Sequence, residues 1–192
     1  MTIQYEEALS IAKRIRAALL PGCERLVIAG SLRREKPEVK DIEIVAELKA
    51  GGLFGDVPDT GALEGAIAQA IRCGVIEWDT ELRRNGEKYK RFRAPGSGIC
   101  VDFFIADHEN FGNILAIRTG NSDFSRLLVT KCSQGGLMPD AMRQEDGRLF
   151  RDGVRLSCPT EAAFFEALDI PVVAPRDRSA ESVARIRKEK GF

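Results

Sequence analysis

Asp41 and Glu43 sit one residue apart in Asp41-Ile-Glu-Ile-Val45, an alternation of charged and apolar residues that predicts a strand with one buried face. Side chains at i and i+2 share a face, so the two carboxylates project together. Ahead of them, Ala29-Gly-Ser-Leu-Arg-Arg34 follows the apolar run Leu26-Val-Ile28. Gly30-Ser31 turns the backbone and suits a phosphate, because glycine permits close approach and a hydroxyl with helix-terminal N–H groups donates to oxygen. Arg33 and Arg34 add guanidinium donors on the same side. A third carboxylate, Asp102, lies inside Ile99-Cys-Val-Asp-Phe-Phe-Ile105, where a charge is costly without a counter-charge or a metal. If that strand pairs beside the Asp41–Glu43 strand, three carboxylates gather. The alternative is a structural aspartate at a strand end. Hard oxygen ligands in such a set suit Mg²⁺ or Mn²⁺, and three can hold two ions about 3.5–4 Å apart.

The elements that must position these groups follow from spacing. Ile3, Ala8, Ile11, Ala12, Ile15 and Leu19 recur at helical intervals, and Pro21-Gly22 stops the helix. Leu32–Glu35 opens a short helix that Pro37 curtails. A loop rich in breakers spans 50–61, and Ala62–Arg72 reads as a helix ended by Gly74. Asn85-Gly86 predicts a hairpin turn between two strands, the second being Lys88–Arg93. From Glu81 to Arg93 six basic residues face two acidic ones, which reads either as a basic lip beside the carboxylates or as a solvated edge strand. Phe111–Ile117 and Ser122–Val129 are short helices separated by Arg118-Thr-Gly-Asn121. Turns at Asp146-Gly147 and Asp152-Gly153 predict a small antiparallel sheet, Glu161–Leu168 a helix, and Ser182–Lys190 a basic, helical tail.

The 192 residues are enough for a real core, in one domain or one with a small subdomain. Lys plus Arg and Asp plus Glu both number 29, so any nucleic-acid surface must be local rather than a bulk excess of positive charge. Five dispersed cysteines and the lone His108 offer no zinc pattern, and reduced thiols in a cytoplasmic protein are expected. There is no signal-peptide pattern and no apolar run near the ~20 residues of a membrane span.

Gly30-Ser31-x-Arg33-Arg34, then Asp41-x-Glu43, then Val101-Asp102, resembles the nucleotidyltransferase palm of the DNA polymerase beta superfamily. Thr119-Gly-Asn-x-x-Phe124 is similar to the Thr-Gly-Ser segment of its polymerase X branch, and Pro159-Thr-Glu-x-x-Phe-Phe165, with Pro175-Arg176, to that branch's thumb. The resemblance implies an α+β fold: a palm with a mixed β-sheet and helices over 1–130, a small antiparallel β/helix thumb-like subdomain over 131–178, and a basic tail over 179–192. It implies Asp41, Glu43 and Asp102 as catalytic metal ligands for two ions. It implies Gly30, Ser31, Arg34, Lys40, Thr119, Gly120 and Asn121 as nucleotide-binding residues, with Arg33, Arg118 and Asp123 as further candidates. The expected partners are a nucleoside triphosphate and a DNA primer and template, and the expected activity is DNA polymerase in gap filling or repair.

Four positions depart from the branch. Glu43 replaces an aspartate, Lys40 a glycine whose role only its backbone N–H could take, and Ile117-Arg118 an aromatic pair that helps exclude a ribose 2′-hydroxyl. The lyase, duplex-clamp and nuclease domains of longer relatives have no counterpart, which implies a weak, salt-sensitive grip on DNA and room for an accessory DNA-binding partner. Transfer to a protein, a small molecule or an untemplated end, and a non-catalytic nucleotide- or DNA-binding module, are the alternative readings.

Overall fold

In the computed structural model, which describes residues 2–52, 57–82 and 84–191, the chain is an α+β fold in two units, Met1–Asp107 and His108–Phe192. The first unit opens with a short strand β1 (Ile3–Gln4) and helix α1 (Tyr5–Leu19). Strand β2 (Cys23–Ile28), the single turn α2 (Gly30–Arg33), the short β3 (Glu38–Val39) and the long β4 (Asp41–Leu48) follow. Then come β5 (Ala50–Gly51), β6 (Val57–Pro58), α3 (Thr60–Arg72), β7 (Glu77–Trp78), β8 (Tyr89–Arg93) and β9 (Cys100–Ala106). Part of the breaker-rich loop expected over 50–61, residues 53–56, lies outside the described residues; on either side of it β5 and β6 pair antiparallel.

Five strands form one mixed sheet in the order β2-β4-β9-β8-β7. Only β4 and β9 run parallel, and the chain between them has room for the helical crossover that such a pair needs. Alternation along β4 buries Ile42, Ile44, Ala46 and Leu48 on one face, in a core with Ala8, Ile15 and Leu19 of α1, Leu63 and Ile67 of α3, and Phe92, Val101 and Phe103. Gly22 allows the chain after α1 to approach α3, since a Cβ there would overlap the backbone at Ala62 and Leu63. The odd-numbered residues of β4 therefore look away from α1 and α3, and Asp41 and Glu43 are among them.

The expected turn at Asn85-Gly86 lies between two antiparallel strands, β7 and β8, and the chain re-pairs across it. β7 ends at Trp78, and the Asp79 carboxylate accepts from the backbone N–H groups of Glu81 and Leu82 at 3.0 and 3.4 Å, which turns the chain out of the ladder. An antiparallel bridge joins Asn85 to Lys90, the Arg91 N–H donates to the Arg84 carbonyl at 2.9 Å, and the Gly86 N–H donates to the Tyr89 carbonyl at 2.9 Å. Arg83, part of the same stretch, lies outside the described residues.

The second unit contains α4 (Phe111–Thr119), α5 (Ser122–Leu128), a three-stranded antiparallel sheet of β10 (Met142–Glu145), β11 (Arg148–Arg151) and β12 (Val154–Leu156), then α6 (Glu161–Ala167) and α7 (Ala180–Lys190). Both Asp-Gly turns of the sheet hold positive φ at each residue, 51° and 76° at 146–147 and 49° and 83° at 152–153, as two-residue hairpins of right-handed twist require. Phe124, Leu128, Met142, Leu149, Phe164 and Phe165 form its core. The unit boundary falls at Asp107/His108 rather than at the expected 130/131, because Ala116, Phe124 and Leu128 of α4 and α5 pack into this core. Residues 180–190 are part of it too. A Ser179–Ser182 capping box starts α7, and its Val183 and Ile186 are buried.

Candidate active site

Parallel pairing sets Glu43 in register with Asp102, and Asp41 with Cys100, so all three carboxylates occupy one face of the sheet on neighbouring strands. Burial pushes the Asp41 carboxyl above the usual carboxylate range and the nearby charge of Asp102 pushes it further, against the pull of Lys40, Arg91 and Arg34. Two like charges held close at a half-buried position form a site that a cation would relieve.

The end of β2 brings the Gly-Ser turn to the same place. The Ala29 N–H donates to the Glu43 carbonyl at 2.8 Å, which extends the β2–β4 ladder up to the turn. Gly30 has φ +62° and backs onto Glu43, whose carboxylate a Cβ would overlap, so no other residue fits without displacing that side chain. Ser31 Oγ is buried and takes no hydrogen bond among the described residues. The Arg34 guanidinium lies between burial, which lowers its pKa, and the charges of Glu43 and Asp41, which raise it; burial prevails. An open hollow of about 530 Å³ lies here, lined by Ser31, Arg34, Lys36, Lys40 and Asp41 among others. Its lining is mixed in charge, with Arg34, Lys36 and Lys40 against Glu38 and Asp41. Arg33 closes α2 and is not part of this lining.

Asp102 is engaged differently. The Tyr89 hydroxyl donates to its Oδ1 at 2.5 Å, and Arg91 Nη1 lies 3.3 Å from the same oxygen. Arg91 and Arg93 in turn pair with Asp79 at 2.9 and 3.2 Å. The β8 part of the basic stretch is thus not an edge, since it lies between β9 and β7, and its Arg91 and Arg93 are ion-paired. Asp79 and Tyr89 were not legible as site residues. The period-two spacing of Tyr89, Arg91 and Arg93 marks one shared face, but which strand they would meet depends on the pairing of β8 with β9.

The donor set fits a hard divalent ion in chemistry and in backbone placement, and the partnerless Ser31 Oγ is an open donor beside it. With Asp102 turned to Tyr89 and Arg91, no three His, Cys, Asp or Glu side chains converge as a ready metal site among the described residues.

The other expected residues belong to the second unit. Thr119 ends α4 and is fully buried, Gly120 follows it, and Asn121 caps α5 by accepting from the Phe124 N–H at 2.7 Å. A Cβ at Gly120 would overlap Phe124 and Ser125, and the Ser125 hydroxyl donates to the Ile117 carbonyl at 2.6 Å. Arg118 and Asp123 are exposed, the latter 3.8 Å from Arg126. The five cysteines are unpaired, with Cys23 and Cys158 buried. Among the described residues no helix is long and apolar enough to cross a membrane. No family model matches the chain, and no curated protein matches it.

Proposed function

We propose that the chain is a metal-dependent nucleotidyltransferase that adds nucleoside monophosphates from a nucleoside triphosphate to the 3′-hydroxyl of a DNA primer, in gap filling or repair. The observation that carries this reading is the in-register pairing of Glu43 with Asp102 beside Asp41, with the Gly30–Arg34 turn backed directly onto Glu43. Bound Mg²⁺ or Mn²⁺ would supply charge neutralisation for phosphoryl transfer. Asp41 and Glu43, with Asp102, would hold it. Ser31 Oγ and Arg34 bind the outer phosphates, with Lys36 and Lys40 adding positive charge around the hollow. Asp102 accepts the proton of the primer hydroxyl as its oxygen bonds to the α-phosphorus and the bond to pyrophosphate breaks.

The test is extension of a labelled primer, with and without template, using Mg²⁺ or Mn²⁺ and deoxy- or ribonucleotides. Stepwise addition that Asp102→Ala abolishes is expected. No addition by the parent, or undiminished addition by Asp102→Ala, overturns the reading. Products indifferent to template sequence assign the chain to terminal transfer instead.

A further inference from the structure

We propose that Tyr89, Arg91 and Asp79 form a clamp that orients Asp102 and decides which of its oxygens takes part in the reaction. The proposal rests on the nucleotidyltransferase reading above. Both donors reach the same atom: Tyr89 Oη at 2.5 Å and Arg91 Nη1 at 3.3 Å from Asp102 Oδ1. Oδ2 is thereby left uncommitted among the described residues, available to an ion or to the primer hydroxyl.

Each donor is fixed from behind. The Tyr89 ring stacks on Phe104 at 5.1 Å between centroids, so the phenol is set by the ladder pair Tyr89–Phe104. Arg91 stands opposite Asp102 in the β8–β9 ladder, and its Nε is held 2.9 Å from Asp79 Oδ2. Asp79 cannot shift in response. It is fully buried, and its Oδ1 accepts from Arg93 Nε at 3.2 Å as well as from the backbone N–H groups of Glu81 and Leu82. A guanidinium gripped at both ends cannot swing away from Asp102. The result is a chain of fixed contacts from the sheet edge at Asp79, through Arg91, to the third carboxylate. Supporting hydrogen bonds of this kind set ligand orientation, and losing one typically lowers metal affinity or activity about 10–100-fold.

Asp79 touches no substrate in this scheme, so it is a positioning residue, as are Arg91 and Tyr89. Two variants and two readouts test the clamp. Asp79→Asn keeps the shape and removes the charge that anchors Arg91; Tyr89→Phe keeps the ring stack and removes the Oδ1 donor. Each is expected to lower kcat for primer extension about 10–100-fold with the nucleotide KM within about threefold. Each is also expected to weaken Mn²⁺ binding to the nucleotide-free protein, read by calorimetric titration, by a similar factor. In an Asp102→Asn background neither substitution should weaken Mn²⁺ binding further, a coupling that a merely structural role would not produce. If Asp79→Asn does not fold, Tyr89→Phe carries the test. Variants with parental kcat and parental Mn²⁺ affinity overturn the clamp while leaving the nucleotidyltransferase reading intact. A parent that binds Mn²⁺ but transfers no nucleotide overturns that reading, and the Mn²⁺ titrations then decide the clamp by themselves. A parent that binds no Mn²⁺ overturns both.

Discussion

Each unit partly buries charge, and the two do so in opposite ways. In the second unit Arg178 is 2% exposed and is held by carbonyls and a carboxylate. Its Nε donates to the Val173 carbonyl at 3.1 Å, and its Nη1 donates to the Ala116 carbonyl at 3.2 Å and pairs with Glu161 at 2.9 Å. The rings of Phe124 and Phe165 lie 5.9 and 5.3 Å from its guanidinium carbon. One cation therefore ties the end of α4, the start of α6 and the approach to α7 together. In the first unit like charges are crowded: Asp41 is raised by burial and by Asp102, and Ser31 Oγ takes no hydrogen bond among the described residues. Opposite charges closed upon carbonyls and aromatic faces build architecture. Carboxylates held together against their own repulsion mark a candidate site.

Substitution separates the two cases. Arg178→Met removes the cation and strands a largely buried Glu161, which should lower stability by about 3–5 kcal/mol, read from denaturant unfolding. Glu161→Gln keeps the shape and a polar acceptor for Arg178, so a smaller loss, about 1–3 kcal/mol, is expected. An Arg178→Met variant as stable as the parent would erase the contrast. Asp41→Asn should behave in the opposite sense. A carboxyl whose pKa is raised on folding favours the folded state while protonated, and that contribution is lost as pH rises through its folded pKa. At pH 7 the neutral variant should therefore melt higher than the parent. At about pH 3, below the ordinary carboxylate range, the difference should vanish. A lower melting temperature for Asp41→Asn at pH 7 would make Asp41 a structural group like Glu161.

Much of this arrangement is legible in local pattern. Alternation in Asp41–Val45 places two carboxylates on one face, and the Asp-Gly pairs mark both turns of the second unit's sheet. The short helix before Pro37 is there too, although it spans Gly30–Arg33 rather than Leu32–Glu35 and Glu35 follows it at φ 55°, and the helical tail starts at Ala180 rather than Ser182. What is not legible depends on partners distant in sequence. The apolar residues of α4 and α5 announce a buried face, yet periodicity does not say that the face meets Phe164 and Phe165. The turn signal at Asn85-Gly86 does not show that Asp79, just after β7, captures two backbone N–H groups and two arginines. The engagement of Asp102 by Tyr89 and Arg91 has the same origin, since it exists only once β8 pairs with β9.

The carboxylate face as a reaction centre is tested most directly by single-turnover primer extension with Mg²⁺, comparing the parent with Asp41→Asn and recording the melting temperature of each at pH 7. The predicted result is a rate lower by about 10³-fold, the scale on which charged groups at a reacting centre act, with no loss of melting temperature. An Asp41→Asn rate within about tenfold of the parent would contradict it.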